Sequence, residues 1–333
     1  MLNPDWKQAL FTYVNQFNRC EVEYSPLKEE NVITDLRFLM KRGERMVRMK
    51  EWHRERGSTP LRAETRVKPE RVIRETETEV VADVLLHVRL FYDKAGMTHQ
   101  EERVEQERLT FEPEGEQWKV RQVERKVGEQ RLSGAEAPFE HASYLQAENM
   151  PLLNQSVLGF GTGGRSNRYR REEAAAYAER WWNRANPEFE NFEVDCTNFI
   201  SQCLFAGGAP IHYTGRRESG WWYKGMAGER ELWSYSWAVA NSLGLYLSSS
   251  TWGLSAYEVA RPDQLTLGDV ILYDWDGNGR FQHSTIVTAF DAGGMPLVNA
   301  HTVSARHRYW DYRDSYAWTE KTVYRFYHIA DQF

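Results

Sequence analysis

The sequence predicts an α+β protein of two domains, each with helices that precede an antiparallel sheet. The chain has 333 residues, which is long enough for two domains that each bury a core. Residues 4–18 and 29–54 carry apolar side chains at helical spacing, which is typical of amphipathic helices. From about residue 61 apolar and charged residues alternate with the period of half-buried antiparallel strands. The first domain is therefore predicted to be two helices laid on a curved antiparallel sheet.

The domain boundaries are predicted from changes in composition. Residues 1–130 form an N-terminal α+β accessory domain, and residues 167–333 form the second domain. The residues between them, 131–166, are rich in small and turn-forming residues and are predicted to be a linker. The stretch GFGTGG in this linker lacks the GK[ST] ending and the GxGxxG spacing of phosphate-binding loops, which favours a flexible connector.

The second domain is predicted to place its helices before its sheet. Residues 170–184 have helical character and end near Pro187, which stops a helix. A second helix begins near Cys196. Three strands follow, with the sequences GDVILYD, HSTIVTAFD and PLVNAHT.

The composition argues against several classes of partner. A formal net charge of −6 and a pI near 5.9 give no electrostatic case for nucleic acid or an anionic membrane. No apolar run is long enough to span a bilayer. The start, MLNPDWKQALFTYVNQF, lacks a basic region followed by an apolar core, so we expect a cytoplasmic protein without a secretory signal. Spore association and non-classical export stay open as alternatives. Three cysteines are too few, and an odd number, for a disulfide scaffold.

Cys196 is the first candidate for a catalytic residue. It stands in VDCTNFISQC, where Asp195 or Thr197 can serve the cap of a helix that begins at the cysteine. A cysteine in the first turn lies where the helix dipole and free N–H groups favour a negative charge, which lowers the pKa of a thiol. Cys203 lies on nearly the same face in the middle of the helix and is interpreted as a structural thiol.

His283 is the histidine best placed to act as a base for such a thiol. It opens a predicted strand directly after a polar, glycine-rich turn, so it is expected at the rim of the sheet. A base needs a partner that fixes its tautomer. The next strand offers Asn299 and His301, which share one face because side chains alternate along a strand.

Five stretches together resemble a known family. They are DCTNFISQCLFAGG, GWWY, SYSWAVA, LGDVILYDWDGNGRFQHSTIVT and LVNAHT. They are similar to a bacterial family of amidase domains with a tryptophan-rich C-terminal region, which is itself similar to the NlpC/P60 and CHAP cysteine peptidases. The resemblance covers residues 168–325, and the order DC…HS is its most specific part. The outline of residues 1–130 is similar to the cone-shaped domains of the nuclear-transport-factor type (NTF2-like), without a motif that supports it.

The family resemblance implies a papain-like fold and a set of catalytic roles. Cys196 would be the nucleophile and His283 the base. The HT pair of the amidase family favours His301 as the third catalytic residue, whereas alignment with the NlpC/P60 strand points to Asn299. For the oxyanion, the helix start at Asp195 and Cys196 offers a backbone N–H group, and Tyr177 is a candidate for a second donor.

The turn YDWDGNGRF contains half of a calcium-loop pattern. Asp274, Asp276 and Asn278 match its first positions, but Thr285 stands where a bidentate glutamate is needed. A tight acidic turn is the preferred interpretation, with a weak cation site as the alternative. No cofactor is predicted.

Tryptophans are concentrated in the second domain, and Trp221 and Trp222 lie in a glycine-flanked loop. Most tryptophans are expected in the core, but these two are candidates for the walls of a substrate cleft that binds sugar rings or peptide.

The sequence thus predicts a cysteine amidase or peptidase. Through the family resemblance, the expected substrate is the peptide stem of peptidoglycan or its fragments. Two alternatives stay open: an inactive module that binds peptidoglycan or another ligand through a tryptophan-lined cleft, and an acyltransferase with the same Cys–His pair. The oligomeric state is not determined by the sequence.

Overall fold

A computed structural model describes residues 6–24, 31–126, 128–129, 168–227 and 230–333. The predicted linker, 131–166, lies outside the described residues. The chain divides into two compact units. Unit 1 comprises residues 1–128, 291–293 and 311–316, and unit 2 comprises residues 129–290, 294–310 and 317–333. Both units combine helices with antiparallel sheet, which confirms the α+β class, while the papain-like and NTF2-like details stay predictions.

Unit 1 consists of two helices and a four-stranded sheet. The elements are α1 (Trp6–Glu23), α2 (Leu36–Arg56), β1 (Ser58–Glu75), β2 (Val80–Lys94), β3 (Met97–Glu114) and β4 (Gln117–Arg125). Each strand pairs antiparallel with the next, in the order β1-β2-β3-β4. Asp35 begins α2, because its side chain accepts the Phe38 N–H at 3.0 Å, and Gly57 ends it at a left-handed φ of 62°.

Two segments from late in the sequence belong to unit 1. Lys94 forms an ion pair with buried Asp291 at 2.5 Å. The indole of Trp52 donates to Asp311 at 2.8 Å, and the guanidinium of Arg45 donates to the backbone carbonyl of Asp314 at 2.7 Å. A unit that includes these segments is not continuous in sequence.

Unit 2 consists of four α-helices, a hairpin and a six-stranded sheet within its described residues. The helices are α3 (Arg171–Trp181), α4 (Cys196–Ala206), α5 (Tyr235–Ala238) and α6 (Ala240–Ser249). The hairpin is β5 (Tyr223–Ala227) with β6 (Arg230–Trp233). The remaining strands are β7 (Ala256–Val259), β8 (Val270–Asp274), β9 (His283–Phe290), β10 (Pro296–Ala300), β11 (Ser304–Tyr309) and β12 (Val323–Ile329).

The sheet of unit 2 is antiparallel throughout, in the order β11-β10-β9-β8-β12-β7. Helix α4 packs on it through apolar residues such as Phe199, Ile200 and Leu204, which are fully buried in one core cluster. Strand β9 begins at His283 and helix α4 begins at Cys196. The start of the helix and the start of the strand therefore supply the two predicted catalytic residues.

No helix within the described ranges is both long and apolar enough to cross a membrane.

Candidate active site

Cys196 is the first residue of α4, as the sequence predicted. Asp195 occupies the N-cap position, and its carbonyl accepts the Phe199 N–H at 3.0 Å. Its carboxylate bonds no helix N–H but accepts the side-chain amide of Asn198 at 2.8 Å. The thiol of Cys196 is buried, with 2% of the residue exposed.

Several hydrogen-bonding groups surround the Cys196 thiol. Burial raises its pKa, but a hydrogen bond and the charge of His283, the Thr197 hydroxyl and the backbone N–H of Ser284 lower it, with a net value of about 7. The Thr197 hydroxyl oxygen lies 3.7 Å from Cys196 Sγ and 3.1 Å from the Ser284 hydroxyl. The structure thus favours a thiolate at Cys196.

His283 is held in the sheet next to aromatic rings. It pairs with Tyr273 across β8 and β9, and only 1% of the residue is exposed. Its imidazole lies 5.5 Å from the ring of Tyr273 and stacks on the indole of Trp275 at 5.9 Å. The rings of the two aromatic residues restrict the orientation of the imidazole that contacts the thiol.

Cys203 lies seven residues further along α4 in different surroundings. It is fully buried in the apolar core, and burial raises the pKa of its thiol well above the ordinary value. This environment agrees with a structural role.

The imidazole of His301 forms its hydrogen bonds with residues other than His283. Its Nδ1 lies 2.7 Å from the carboxylate of Asp195, and its Nε2 lies 2.8 Å from the backbone carbonyl of Trp181. Its ring stacks on Phe199, with 3.9 Å between centroids and 10° between planes. With both nitrogens engaged, His301 does not orient His283 through a hydrogen bond, so the geometry does not support the predicted third catalytic role.

Asn299 is also engaged elsewhere. Its side-chain carbonyl accepts from Thr288 and from the His307 N–H, each at 2.9 Å. Its amide donates to Glu179 at 2.9 Å. The alternative third residue therefore serves the packing of α3 against β9, β10 and β11.

The two predicted oxyanion donors are both occupied. The backbone N–H of Cys196 donates to the hydroxyl of Thr302 at 3.2 Å, as does the N–H of Asp195. The Tyr177 hydroxyl donates to Gln202 at 2.7 Å and accepts from Asn186 at 2.7 Å. Both groups donate to partners within the protein in this structure.

Trp221 and Trp222 are both buried, and their role as cleft walls stays a prediction. Trp221 is 0% exposed, and its indole N–H donates to Ser201 at 3.0 Å. Trp222 is 3% exposed, and its indole N–H donates to the carbonyl of Ser219 at 3.1 Å. Both indole N–H groups are thus satisfied within the protein.

The turn at Asp274 is organised by hydrogen bonds to one carboxylate. Asp274 accepts the backbone N–H groups of Asp276 and Asn278 at 3.2 Å, and that of Gly279 at 2.7 Å. The Asp276 side chain receives a long bond of 3.4 Å from Gln282, and the Asn278 side chain accepts the Arg280 N–H. These contacts fit the tight acidic turn. Among the residues the structure describes, no group of three or more His, Cys, Asp or Glu side chains could hold a metal ion.

Sequence reasoning gave Thr197 only a capping role, and it gave the hydroxyls of Ser284 and Thr302 no role. Thr197 and Ser284 each stand directly after a predicted catalytic residue in the sequence, so adjacency could have indicated the first two. Thr302 belongs to the HT pair of the family resemblance, but its contacts leave no local signal, because its partners Asp195 and Cys196 lie 107 and 106 residues away.

Comparison with known proteins gives a match to a family model and a match to a curated relative. A family model described as "Putative amidase domain" matches residues 168–327. The "Uncharacterized protein YhbB" of Bacillus subtilis (strain 168) is 53% identical over 168 residues, which cover 50% of this chain and 52% of that protein. The chain thus spans about half the length of this curated relative. No solved structure matches the chain.

These matches support a coarse functional class. The family description points to hydrolysis of amide bonds by the region that contains Cys196 and His283. The matches support the amidase-domain part of the expected resemblance and do not extend to NlpC/P60 or CHAP peptidases.

Proposed function

We propose that unit 2 is a cysteine amidase, with Cys196 as nucleophile and His283 as general acid and base. The observation that carries this proposal is a buried thiol whose pKa is lowered to about 7, by His283, Thr197 and Ser284, against the effect of burial. A structural thiol in such a buried position has a raised pKa, as Cys203 does. The amidase-domain match supports the class of bond.

The reaction proceeds in two steps. The Cys196 thiolate attacks the amide carbonyl, and the tetrahedral intermediate collapses to a thioester as the C–N bond breaks and protonated His283 gives its proton to the leaving amine. Water then attacks the thioester while His283 accepts a proton from it. The carboxylic acid leaves, and the thiolate and the protonated imidazole are restored.

Cysteine reactivity is tested by the pH dependence of alkylation with iodoacetamide. The background is Cys20→Ser with Cys203→Ser, which leaves Cys196 as the single thiol. We expect an alkylation pKa of about 7, and a higher one after His283→Ala, because the imidazole charge is lost. A normal pKa that does not depend on His283, or labelling only after unfolding, would falsify the proposal.

The proposed substrate is the peptide stem of peptidoglycan or its fragments, an assignment that comes from the family resemblance. The test is incubation of the full chain with isolated stem peptides and analysis by mass spectrometry. Hydrolysis yields two fragments whose summed mass exceeds the parent by one water. Cys196→Ala is the control, since it removes the nucleophile alone. Intact stem peptides beside a reactive thiol would reject this substrate and keep the cysteine chemistry.

An acyltransferase is the second candidate, because the same Cys196–His283 pair could pass the acyl group of the thioester to an amine instead of to water. Adding a primary amine during turnover separates the two activities. Acid product alone identifies a hydrolase, and a new amide identifies a transferase.

A further inference from the structure

We infer that His301 is a positioning residue that carries protons on both ring nitrogens and, paired with Asp195 and helped by Thr302, fixes the first turn of α4 so that Cys196 meets His283. The two dipeptides Asp195-Cys196 and His301-Thr302 are here called the clasp. This role deepens the proposed function and rests on it for its catalytic consequence, whereas the ion pair itself is a property of the structure.

The protonation state follows from the partners of the His301 ring. Nε2 faces the backbone carbonyl of Trp181 at 2.8 Å, and a carbonyl can only accept. Nδ1 faces a carboxylate oxygen of Asp195 at 2.7 Å. A neutral imidazole has one donor nitrogen and one acceptor nitrogen, so it would leave one of these contacts without a proton.

The surroundings of Asp195 identify it as the anionic partner. Its Oδ1 accepts from the amide of Asn198 at 2.8 Å and from the N–H of Phe192 at 3.3 Å, and its Oδ2 faces His301. Asn198 and Phe192 both donate, so neither of them requires a proton on the carboxyl group. Asp195 is 5% exposed and His301 is 7% exposed, so the pair is buried. A buried charge persists when it is paired and hydrogen-bonded, as both are here.

The ring of Phe199 stacks on the face of the His301 imidazole and stabilises its positive charge. The two rings are nearly parallel, at 10°, with 3.9 Å between centroids. A cationic ring over an aromatic face gains electrostatic attraction that a neutral ring lacks. Phe199 belongs to α4 and His301 follows β10, so the stack joins the helix to the end of the strand.

Thr302 is the last residue of the clasp, and its backbone conformation is strained. Its φ is 79°, which is a genuine outlier for a β-branched residue. Its hydroxyl accepts the N–H groups of Asp195 and Cys196, each at 3.2 Å. Strained conformations of this kind persist only where surrounding contacts over-determine them, and these two hydrogen bonds are such contacts.

The direct test is nitrogen-15 NMR of the histidine side chains in the full-length protein, with the His301 signals assigned by their loss in His301→Gln. We expect proton-bearing shifts for both nitrogens at neutral pH. In Asp195→Asn the new amide can donate to Nδ1, so we expect that nitrogen to lose its proton while Nε2 keeps its own. A His301 ring with one protonated nitrogen in the parent overturns the inference.

The positioning role is tested by kinetics of the same variants. His301→Gln cannot donate in two opposite directions, so its side-chain oxygen would face the Asp195 carboxylate or the Trp181 carbonyl. We expect kcat to fall roughly 10- to 100-fold with little change in KM, because the nucleophile is displaced rather than the substrate lost. The double variant with Asp195→Asn is expected to be no slower than the slower single variant, because the two residues act as a unit.

His307→Gln is the matched control. His307 also pairs with a carboxylate, at 2.9 Å from Glu179, and stands in the strand after His301. We expect it to leave kcat within about twofold. At Thr302, serine keeps the hydroxyl acceptor and should retain most activity, whereas valine keeps the branched shape and should lose it as His301→Gln does. Equal loss in His307→Gln, or full activity in Thr302→Val, contradicts the role.

Failure of the inference and failure of the proposed function give different results. If the protein hydrolyses no amide but His301 carries two protons that depend on Asp195, the ion pair stands and the amidase proposal falls. If hydrolysis depends on Cys196 and His283 but His301 is singly protonated, the amidase stands and the clasp is rejected.

Discussion

The two cysteines of α4 show how the same side chain on the same helix acquires opposite properties. Cys196 and Cys203 are both buried, at 2% and 0% exposure. The pKa of the Cys203 thiol is raised by burial among apolar side chains, whereas that of Cys196 is lowered to about 7 because His283, Thr197 and Ser284 outweigh burial. The difference in pKa between the two thiols therefore comes from the nearby donors and not from exposure.

The largest expected effect is on activity, and it distinguishes the two thiols directly. Cys196→Ser is expected to lower kcat/KM by roughly 10⁴-fold or more, because a hydroxyl at this position is a poor nucleophile. Cys203→Ser should leave activity almost unchanged but lower the free energy of unfolding by about 1–3 kcal/mol, since a hydroxyl enters an apolar core. Turnover of one defined amide and urea unfolding measure both. A folded Cys203→Ser protein without activity would contradict the comparison.

The second expected effect is on the free energy of unfolding as a function of pH. The contributions of the Cys196 and Cys203 thiols to it have opposite signs. Cys196 loses its proton at about pH 7 in the folded state but near its ordinary pKa of about 8.5 when unfolded. The unfolded state therefore binds more protons between these values, and stability rises with pH by about 2 kcal/mol. This contribution is lost as pH falls through 7. Cys203 keeps its proton when folded, so its contribution falls as pH rises above the ordinary thiol pKa.

Urea unfolding from about pH 6 to about pH 9 tests these signs in the parent and in each serine variant. Cys196→Ser should remove the rise. Cys203→Ser should reduce the fall, and part of the fall should stay because burial also raises the pKa of the Cys20 thiol. A parent curve that Cys196→Ser leaves unchanged would mean that the thiolate is not stabilised by the fold.

The fold was predictable where the sequence pattern is local. Strands β2 and β3 alternate buried and partly buried residues, which is the pattern that predicted them. Strand β1 lies where the predicted alternation begins, but its bounds were not predicted because almost its whole length is exposed or half-buried. The membership of residues 291–293 and 311–316 in unit 1 depends on contacts such as Lys94 with Asp291, which are 197 residues apart and leave no local pattern.

The residues of the candidate site also divide into those with a local sequence signal and those without one. Cys196 and His283 were predictable because each opens a secondary-structure element with a recognisable start. The contacts of His301 were not predictable, since its partners Asp195 and Trp181 are 106 and 120 residues away and only the fold brings them together. The burial of Trp221 and Trp222 also depends on tertiary packing, because adjacent tryptophans in a loop fit a core and a cleft equally well.

A smaller effect is expected from the hydroxyl next to the thiol. Thr197→Val keeps the shape of the side chain but removes the hydrogen bond at 3.7 Å from Cys196 Sγ. A hydrogen bond to a charged group contributes about 1.5–3 kcal/mol, so the alkylation pKa of Cys196 should rise by about one to two units. Thr197→Ser restores the donor and is the control. An unchanged pKa in the valine variant would leave His283 and the Ser284 N–H as sufficient causes.

The smallest effect on the alkylation pKa of Cys196 is expected from the hydroxyl of Ser284, which contacts Thr197. Ser284→Ala keeps the backbone N–H that donates to Cys196 and removes only the hydroxyl, which lies 3.1 Å from that of Thr197. The Ser284 hydroxyl acts on the thiol only through Thr197, so the alkylation pKa should rise by less than about one unit. In the Thr197→Val background the same change should have no effect on the pKa, because the connecting hydroxyl is gone. An equal effect in both backgrounds would show that Ser284 acts on the thiol independently of Thr197.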